Sequence, residues 1–338
     1  MRSTLPRRCL SLTLVLLAGC STDGNTADTL PTGVSAAAGG NGSPGVKNHP
    51  AGKIIGTVTA FTPWAVAVRD DGLAFFTQLF GDNVGITNTA TRVVTGTIPT
   101  GSLPTGIVFS PDGSRAYTAN QGDNTVTVID AATSTAIGSI STGASSPFSV
   151  EMSPDGQQLY VGNNDNTLMI VDTRLGQVTR TLYVGEATNA FAVAPDGARL
   201  YASHFVSGSV TEIDIATASI LRTFDVGGVP QGLALNKKGT HLYVANEDGY
   251  LNDIVLATGA SGAPIPVAGP AFGIGVTPDD HEAWIAIPST GQVQVFNLQG
   301  RRLSGAMDVG GEPRRIAFSA QGKIGAVTDV SGNVIFVR

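Results

Sequence analysis

The sequence predicts an all-β fold in which one four-stranded unit is repeated seven times around a ring, a seven-bladed β-propeller. Residues 104–113 form a short apolar run followed by Ser-Pro-Asp-Gly, and this pattern recurs at 147–156 and, with Ala in place of Ser, at 188–197. A period near 40 residues with four short strands in each repeat is typical of propeller blades. With weaker copies included, the repeats begin near residues 63, 104, 147, 188, 230, 271 and 313, so they are 41 to 43 residues apart.

The composition agrees with many short strands joined by tight turns. Glycine accounts for 43 of the 338 residues, whereas only 14% of the residues are charged and 42% are hydrophobic. A coiled coil needs charged heptads and a disordered polyelectrolyte needs high charge, so both classes are excluded. The formal net charge is −6 and no basic run occurs, so the sequence predicts no nucleic-acid partner.

Each repeat divides into four strands, which we name a to d. In the second repeat we predict strand a at 107–110, b at 115–119, c at 125–130 and d at 136–141. The tripeptide Pro-Asp-Gly at 111–113 makes the turn from a to b. Proline presets φ, aspartate hydrogen-bonds to the following backbone and glycine accepts positive φ, so this tripeptide favours a tight turn.

The seventh repeat supplies strands a (315–318), b (324–328) and c (333–337) but no strand d. Residues 53–59 (KIIGTVT) precede the first repeat and resemble the strand d of the second repeat. We therefore predict that this amino-terminal strand completes the last blade and closes the ring. The alternative is an open solenoid, which would leave unpaired strand edges of the kind that proteins avoid.

Three tetrapeptides resemble the YVTN repeat of bacterial and archaeal seven-bladed β-propellers: YTAN at 117–120, YVGN at 160–163 and YVAN at 243–246. The resemblance covers residues 52–338 and implies the same fold. Members of that family are mostly exported proteins with assumed binding roles, and related propellers include lactone hydrolases. Because the motif residues are architectural, the resemblance does not separate binding from catalysis.

Residues 1–19 have the features of a bacterial lipoprotein signal peptide. Three arginines precede an apolar run at 10–18 that is too short to span a bilayer as a helix. The sequence Leu-Ala-Gly-Cys at 17–20 resembles the lipobox, which implies acylation of Cys20 and a bilayer partner. An incidental cysteine in an ordinary signal peptide is the alternative. In bacterial lipoproteins a residue other than Asp after the acylated cysteine favours export to the outer membrane, and Ser21 follows Cys20 here. The resemblance therefore implies anchoring in the outer membrane, on its periplasmic or surface side.

Residues 20–51 are rich in Gly, Ser, Thr, Ala, Asn and Pro and have no apolar period. Such a segment buries too little apolar surface to offset its ordering entropy, so we predict a flexible lipid-anchored tether ahead of a propeller domain at 52–338. The second cysteine, Cys9, lies in the predicted signal peptide, and Cys20 alone remains after cleavage. No internal disulfide or thiolate metal site is therefore expected.

The second residue of each repeat is expected at the mouth of the central channel, on the face formed by the d–a and b–c connections. Binding is commonly placed on this face of propellers. The residue varies among the repeats, with six residue types at seven positions, whereas the Pro-Asp-Gly turns at the other face vary little, a contrast that favours binding at this ring. Two interpretations stay open. In the first, the ring binds a small polar or aromatic ligand or a peptide loop; in the second, its side chains only fill the mouth of the channel. This mouth ring consists of Trp64, Thr105, Phe148, Asn189, Gln231, Phe272 and Arg314.

Glu151 stands in a predicted innermost strand where other repeats have Val, Ala or Gly. A carboxylate there must be hydrogen-bonded, paired or protonated, and a structural ion pair with a nearby basic residue is the interpretation we favour. The alternative is that carboxylates near the channel mouth activate water for hydrolysis of a lactone. The candidates for such catalysis are Glu151, Glu186, Glu312, His204 and Arg314.

The preferred prediction is a non-catalytic lipoprotein of the cell envelope that binds an envelope protein or a small ligand through the d–a/b–c face. The alternative prediction is a lactonase-like hydrolase or lyase, with or without a metal, whose site lies at the channel mouth. No cofactor and no metal site are expected, and the protein is expected to be monomeric.

Overall fold

The computed structural model describes residues 52–143, 145–321 and 324–338. The predicted signal peptide, Cys20 and the predicted tether therefore lie outside the described residues. Within these ranges the chain folds into seven antiparallel sheets. No helix found there is both long and apolar enough to cross a bilayer.

Six of the seven sheets are blades formed in chain order after a first strand, β1 (Ile54–Thr59). Blade 1 contains β2 (Pro63–Val68), β3 (Leu73–Gln78), β4 (Asn83–Asn88) and β5 (Val94–Pro99). Blade 2 contains β6 (Pro104–Phe109), β7 (Arg115–Asn120), β8 (Thr125–Asp130) and β9 (Thr135–Ser141). Blade 3 contains β10 (Pro147–Met152), β11 (Gln158–Asn163), β12 (Thr167–Asp172) and β13 (Gln177–Tyr183). Blade 4 contains β14 (Thr188–Val193), β15 (Arg199–His204), β16 (Ser209–Asp214) and β17 (Ser219–Asp225).

The later blades deviate slightly from this regular plan. Blade 5 contains β18 (Pro230–Leu235), β19 (His241–Asn246), β20 (Tyr250–Val255) and an outer strand split into β21 (Ala260–Ser261) and β22 (Ile265–Pro266). Blade 6 contains β23 (Ile274–Val276), β24 (Glu282–Ile287), a 3₁₀ turn (Pro288–Thr290), β25 (Gln292–Asn297) and β26 (Arg302–Asp308). Blade 7 contains β27 (Pro313–Phe318), β28 (Gly325–Asp329) and β29 (Asn333–Val337). The split in blade 5 has a simple cause, because prolines at 264 and 266 cannot donate to the ladder.

The amino-terminal strand closes the ring, as the sequence predicts. Strand β1 pairs antiparallel with β29, with Val58 opposite Val334. Beyond the strand, Lys53 and Arg338 exchange two backbone hydrogen bonds of 2.7 and 2.9 Å. The prediction of an all-β, seven-bladed propeller of four antiparallel strands per blade is confirmed.

Hydrophobic side chains fill the interfaces between neighbouring blades. At the interface between the last blade and the first, Val58 and Phe336 pack with Val66 and Phe76. Burial of each such side chain contributes on the order of 1.5–3 kcal/mol, so most of the stability of the ring resides between the blades.

The predicted Pro-Asp-Gly turn of blade 2 is held by its aspartate. Asp112 accepts hydrogen bonds from Ser110 and Ser114, which lower its pKa to about 2.

Candidate functional site

The innermost strands of all seven blades surround a central cavity of about 870 Å³. Side chains alternate along a strand, and the third and fifth residues of strand a, counted from the start of each repeat, line this cavity in every blade except at Ala192. Most of them are Ala or Gly, so much of the wall is backbone and small side chains. Neighbouring innermost strands approach each other closely because these residues are small. A Cβ on Gly273, for example, would lie 2.2 Å from the carbonyl oxygen of Arg314 in the next blade.

Aromatic side chains of the mouth ring meet across the d–a/b–c end of the channel. The ring centroids of Trp64 and Phe148 are 6.1 Å apart, and those of Trp64 and Phe272 are 6.2 Å apart, both edge-to-face. Trp64 comes from blade 1, Phe148 from blade 3 and Phe272 from blade 6. The guanidinium groups of Arg314 and Arg315 lie 4.7 and 5.0 Å from the centre of the Phe272 ring. Edge-to-face and cation–π contacts of this kind stabilise a cluster, which here fills this end of the channel.

Only part of the mouth ring lines the cavity. Trp64, Phe148 and Asn189 belong to its lining, whereas Thr105 and Gln231 are fully buried away from it. The polar atoms of the Gln231 side chain are buried without a hydrogen-bond partner among the described residues.

The far end of the cavity is bordered by the a–b turns. Its lining there includes exposed turn residues such as Asp71 and Asp112. The cavity is therefore open at the a–b turns, the end opposite the d–a/b–c face where the sequence predicts binding. The aromatic cluster forms its floor.

Glu151 lies in the cavity wall on β10. Its carboxylate accepts one weak hydrogen bond, at 3.4 Å, from the backbone N–H of Met152. No ion pair joins it to a basic residue in the described part of the chain, so the expected structural ion pair is not formed. Burial raises the pKa of Glu151 to about 7, because a carboxylate without a counter-charge is costly in a poorly solvated site.

Arg315 is a second charged group in the cavity wall, on β27. It occupies the third position of strand a, where the other six blades have Ala, Gly or Ser. Burial, followed by the positive charge of Arg314, lowers its pKa to about 10. Arg315 is not among the site residues predicted from sequence, although a comparison of the third positions of the repeats identifies it as the exception.

The remaining candidates for catalysis lie apart from Glu151. Glu186 accepts a hydrogen bond of 2.9 Å from the backbone N–H of Ser207 and lies close enough to His204 to affect its pKa. Burial nevertheless lowers the pKa of His204, whose Nε2 is 2.8 Å from the hydroxyl of Thr211. These contacts hold the b–c connection of blade 4 in place.

Glu312 is exposed and forms an ion pair of 3.3 Å with Arg314 at the d–a end. The candidates thus form two separate pairs, Glu186 with His204 and Glu312 with Arg314, and neither pair includes Glu151. Across the ranges that the structure describes, no group of three His, Cys, Asp or Glu side chains is placed to hold a metal ion.

Comparison with known proteins places the chain in a family. Residues 87–268, just over half of the chain, match the family described as lactonase, 7-bladed beta-propeller. The chain belongs to this seven-bladed β-propeller lactonase family. The resemblance to YVTN-type propellers is confirmed by the same match and by the relatives described next.

Two curated relatives of this lactonase-family propeller are the uncharacterized protein YncE of Salmonella typhi and that of Salmonella typhimurium. Each is 33% identical over 78 residues, which are 23% of this chain and 22% of the relative. The matched segment thus spans about a fifth of these relatives. Among solved structures, hydrazine synthase of Kuenenia stuttgartiensis matches with a TM-score of 0.76 and 20% identity, over 82% of this chain and 96% of that chain. At this identity the likeness shows the fold alone.

Proposed function

We propose that this protein is a non-catalytic binding protein of the cell envelope that holds a small ligand in its central cavity. One observation carries the proposal, the cavity of about 870 Å³ closed at one end by the aromatic cluster of Trp64, Phe148 and Phe272. Concave sites of some 300–1,000 Å³ with apolar walls and a few polar groups are the usual form of small-molecule sites. The predicted binding residues Trp64, Phe148 and Asn189 then contact the ligand from the floor.

The closed floor favours a small molecule over a peptide loop. A peptide loop entering from the d–a/b–c face would have to displace the edge-to-face contacts of Trp64. A small molecule enters from the a–b turns and reaches the aromatic floor without moving it. Thr105, Gln231 and Arg314 then support the floor, of which Phe272 is part, from behind.

The envelope location in this proposal rests on the amino-terminal sequence. The lipobox-like segment ending at Cys20 supports acylation, and residues 20–51 supply a tether that holds the propeller off the bilayer. With one end of the channel closed, a tethered monomer samples small molecules through the a–b end.

Filling the cavity is expected to abolish ligand capture. Ala234 and Ala317 line the wall at the fifth positions of β18 and β27, and leucine at both sites takes up the space of the ligand. The full-length protein in detergent is dialysed to equilibrium against a metabolite extract, and enriched compounds are identified by mass spectrometry. Wild type should concentrate a small molecule near one equivalent, and the Ala234→Leu/Ala317→Leu variant should lose at least nine-tenths of it.

The matched control places the same change outside the cavity. Ala90 and Ala132 lie exposed in c–d turns, so Ala90→Leu/Ala132→Leu should retain wild-type enrichment. Equal enrichment by the filled variant and wild type, or no enrichment by wild type, contradicts the proposal.

A second candidate function is hydrolysis of a lactone, which one observation favours in a member of this family. Glu151 lines the cavity with a pKa of about 7, a value suited to a general base near neutral pH. Its carboxylate would take a proton from a water molecule as the water oxygen attacks the lactone carbonyl. The ester bond then breaks, and the ring opens to a hydroxy acid.

If Glu151 is the general base, the rate of lactone hydrolysis depends on pH and on the Glu151 carboxylate. Lactone hydrolysis should rise through pH 7 as the carboxylate loses its proton, and Glu151→Gln should lower the rate about 10²-fold or more. Glu282→Gln is the matched control, because Glu282 lies outside the cavity and accepts a hydrogen bond from Trp284 that glutamine can also accept. If a panel of lactones is hydrolysed equally fast by Glu151→Gln and wild type, Glu151 is not the base.

A further inference from the structure

Two opposite charges face the same cavity without neutralising each other. Neither the Glu151 carboxylate nor the Arg315 guanidinium forms an ion pair with any described residue. Arg315 contacts the face of Phe272, and its side chain donates no hydrogen bond within the described chain. Isolated charges in a shielded site are costly, so a ligand of this cavity gains most if it carries charges that pair with these two groups.

The two charges stand on opposite sides of the ring and at different depths. Glu151 is on blade 3 and Arg315 is on blade 7, with blades 4 to 6 between them in one direction and blades 1 and 2 in the other. Glu151 is the fifth residue of its strand and Arg315 the third of its own. At ~3.3 Å per residue, they differ by about 7 Å along the strand direction.

This separation explains why the charges do not pair across the channel and leaves room between them for a small molecule. A hydroxyl lies on the same wall as the carboxylate, because Ser149 precedes Glu151 by two residues on β10. The Ser149 oxygen is buried and has no hydrogen-bond partner among the described residues. The wall of blade 3 thus offers a carboxylate and a hydroxyl, and the wall of blade 7 offers a guanidinium.

We propose that the cavity selects small zwitterions, with the cationic amino group of the ligand at Glu151 and its anionic group at Arg315. This inference rests on the proposed function and specifies the class of ligand. A ligand with only one charge would leave the other wall group unpaired, and a neutral ligand would leave both unpaired. A zwitterion satisfies both groups and adds no net charge to a poorly solvated site.

Unbranched ω-amino acids of different length measure which distance between the amino group and the carboxylate the cavity prefers. Glycine, β-alanine, 4-aminobutanoate, 5-aminopentanoate and 6-aminohexanoate are titrated into the full-length protein in detergent at pH 7 by calorimetry. Affinity should peak at one chain length. The N-acetyl and the carboxamide derivative of that compound, each lacking one charge, should bind at least tenfold more weakly, which is 1.4 kcal/mol.

Two substitutions assign each charge to its wall group. Glu151→Gln should remove the penalty for N-acetylation while keeping the penalty for amidation, and Arg315→Gln should do the reverse. Binding of the amino group at Glu151 favours the ionised carboxylate, so protons are released at pH 7 and the binding enthalpy depends on the buffer. Glu282→Gln should behave as wild type in all of these titrations.

The outcomes separate this inference from the proposed function. If the parent compounds and their singly charged derivatives bind equally, or none of the amino acids binds while dialysis enriches an uncharged compound, zwitterion selection is overturned and cavity binding stands. If the amino acids bind equally to wild type and to the leucine-filled variant, their site lies outside the cavity and zwitterion selection is overturned, whereas the proposed function fails only if the filled variant also keeps the enrichment seen on dialysis.

Discussion

Replacement of Val58 by aspartate is expected to lower the free energy of unfolding by about 4 kcal/mol or more. Val58 is 4% exposed on β1 and packs with residues of both the last blade and the first. A carboxylate at this position is buried among Phe76, Phe336 and aliphatic side chains without a partner. The strand that closes the ring would be forced out, and the backbone edge of β29 would lose its partner.

The adjacent residue provides the control for this experiment. Thr57 is exposed on the same strand and pairs with Ile335, so Thr57→Asp introduces the same charge on the solvent side. Urea unfolding should place Thr57→Asp within about 1 kcal/mol of wild type. Similar losses of stability in the two variants would show that β1 does not seal the ring.

Glu151→Gln is expected to stabilise the protein in a pH-dependent way. The folded-state pKa of about 7 lies above the ordinary value of 4.5, so the folded state disfavours the ionised carboxylate. The resulting loss in the free energy of unfolding is absent below pH 4.5, grows between pH 4.5 and 7, and is complete above pH 7. These two pKa values correspond to a penalty of about 3 kcal/mol, and because water enters the cavity and screens the charge we expect about 2 kcal/mol.

The measurement is the free energy of unfolding of wild type and Glu151→Gln from pH 4 to 8. At pH 8 the free energy of unfolding of Glu151→Gln should exceed that of wild type by about 2 kcal/mol. Near pH 4 the two proteins should be equally stable. Glu282→Gln controls for the removal of one negative charge from the chain. A difference that does not change with pH would mean that Glu151 is not an unpaired carboxyl in the channel.

The fold was predictable from sequence because its determinants are local and repeated. Pro-Asp-Gly turns, β-branched runs and a period near 42 residues each act within a single blade, and the KIIGTVT segment fits the strand that the seventh repeat lacks. The split outer strand of blade 5 also has a local cause, the prolines at 264 and 266. In blade 6 the regular strand begins at Ile274 rather than near 271, although Phe272 and Gly273 keep hydrogen bonds to Ala286.

The site was less predictable because its determinants join distant blades. The second position of each repeat was selected because it varies along the sequence, but which end of the channel closes depends on how far Trp64, Phe148 and Phe272 reach across it. No spacing along the chain encodes that distance. Among the described residues Glu151 does not form the expected ion pair for a similar reason, since Arg315 lies four blades further along the chain and at another depth.

The crystal structure of the protein after dialysis against metabolite extract tests the central claim most directly. We expect electron density for one small molecule between the aromatic floor at Trp64 and the a–b turns, in contact with the walls that carry Glu151 and Arg315. Ordered water alone in the channel, or a ligand bound only on the d–a/b–c face, would contradict the account.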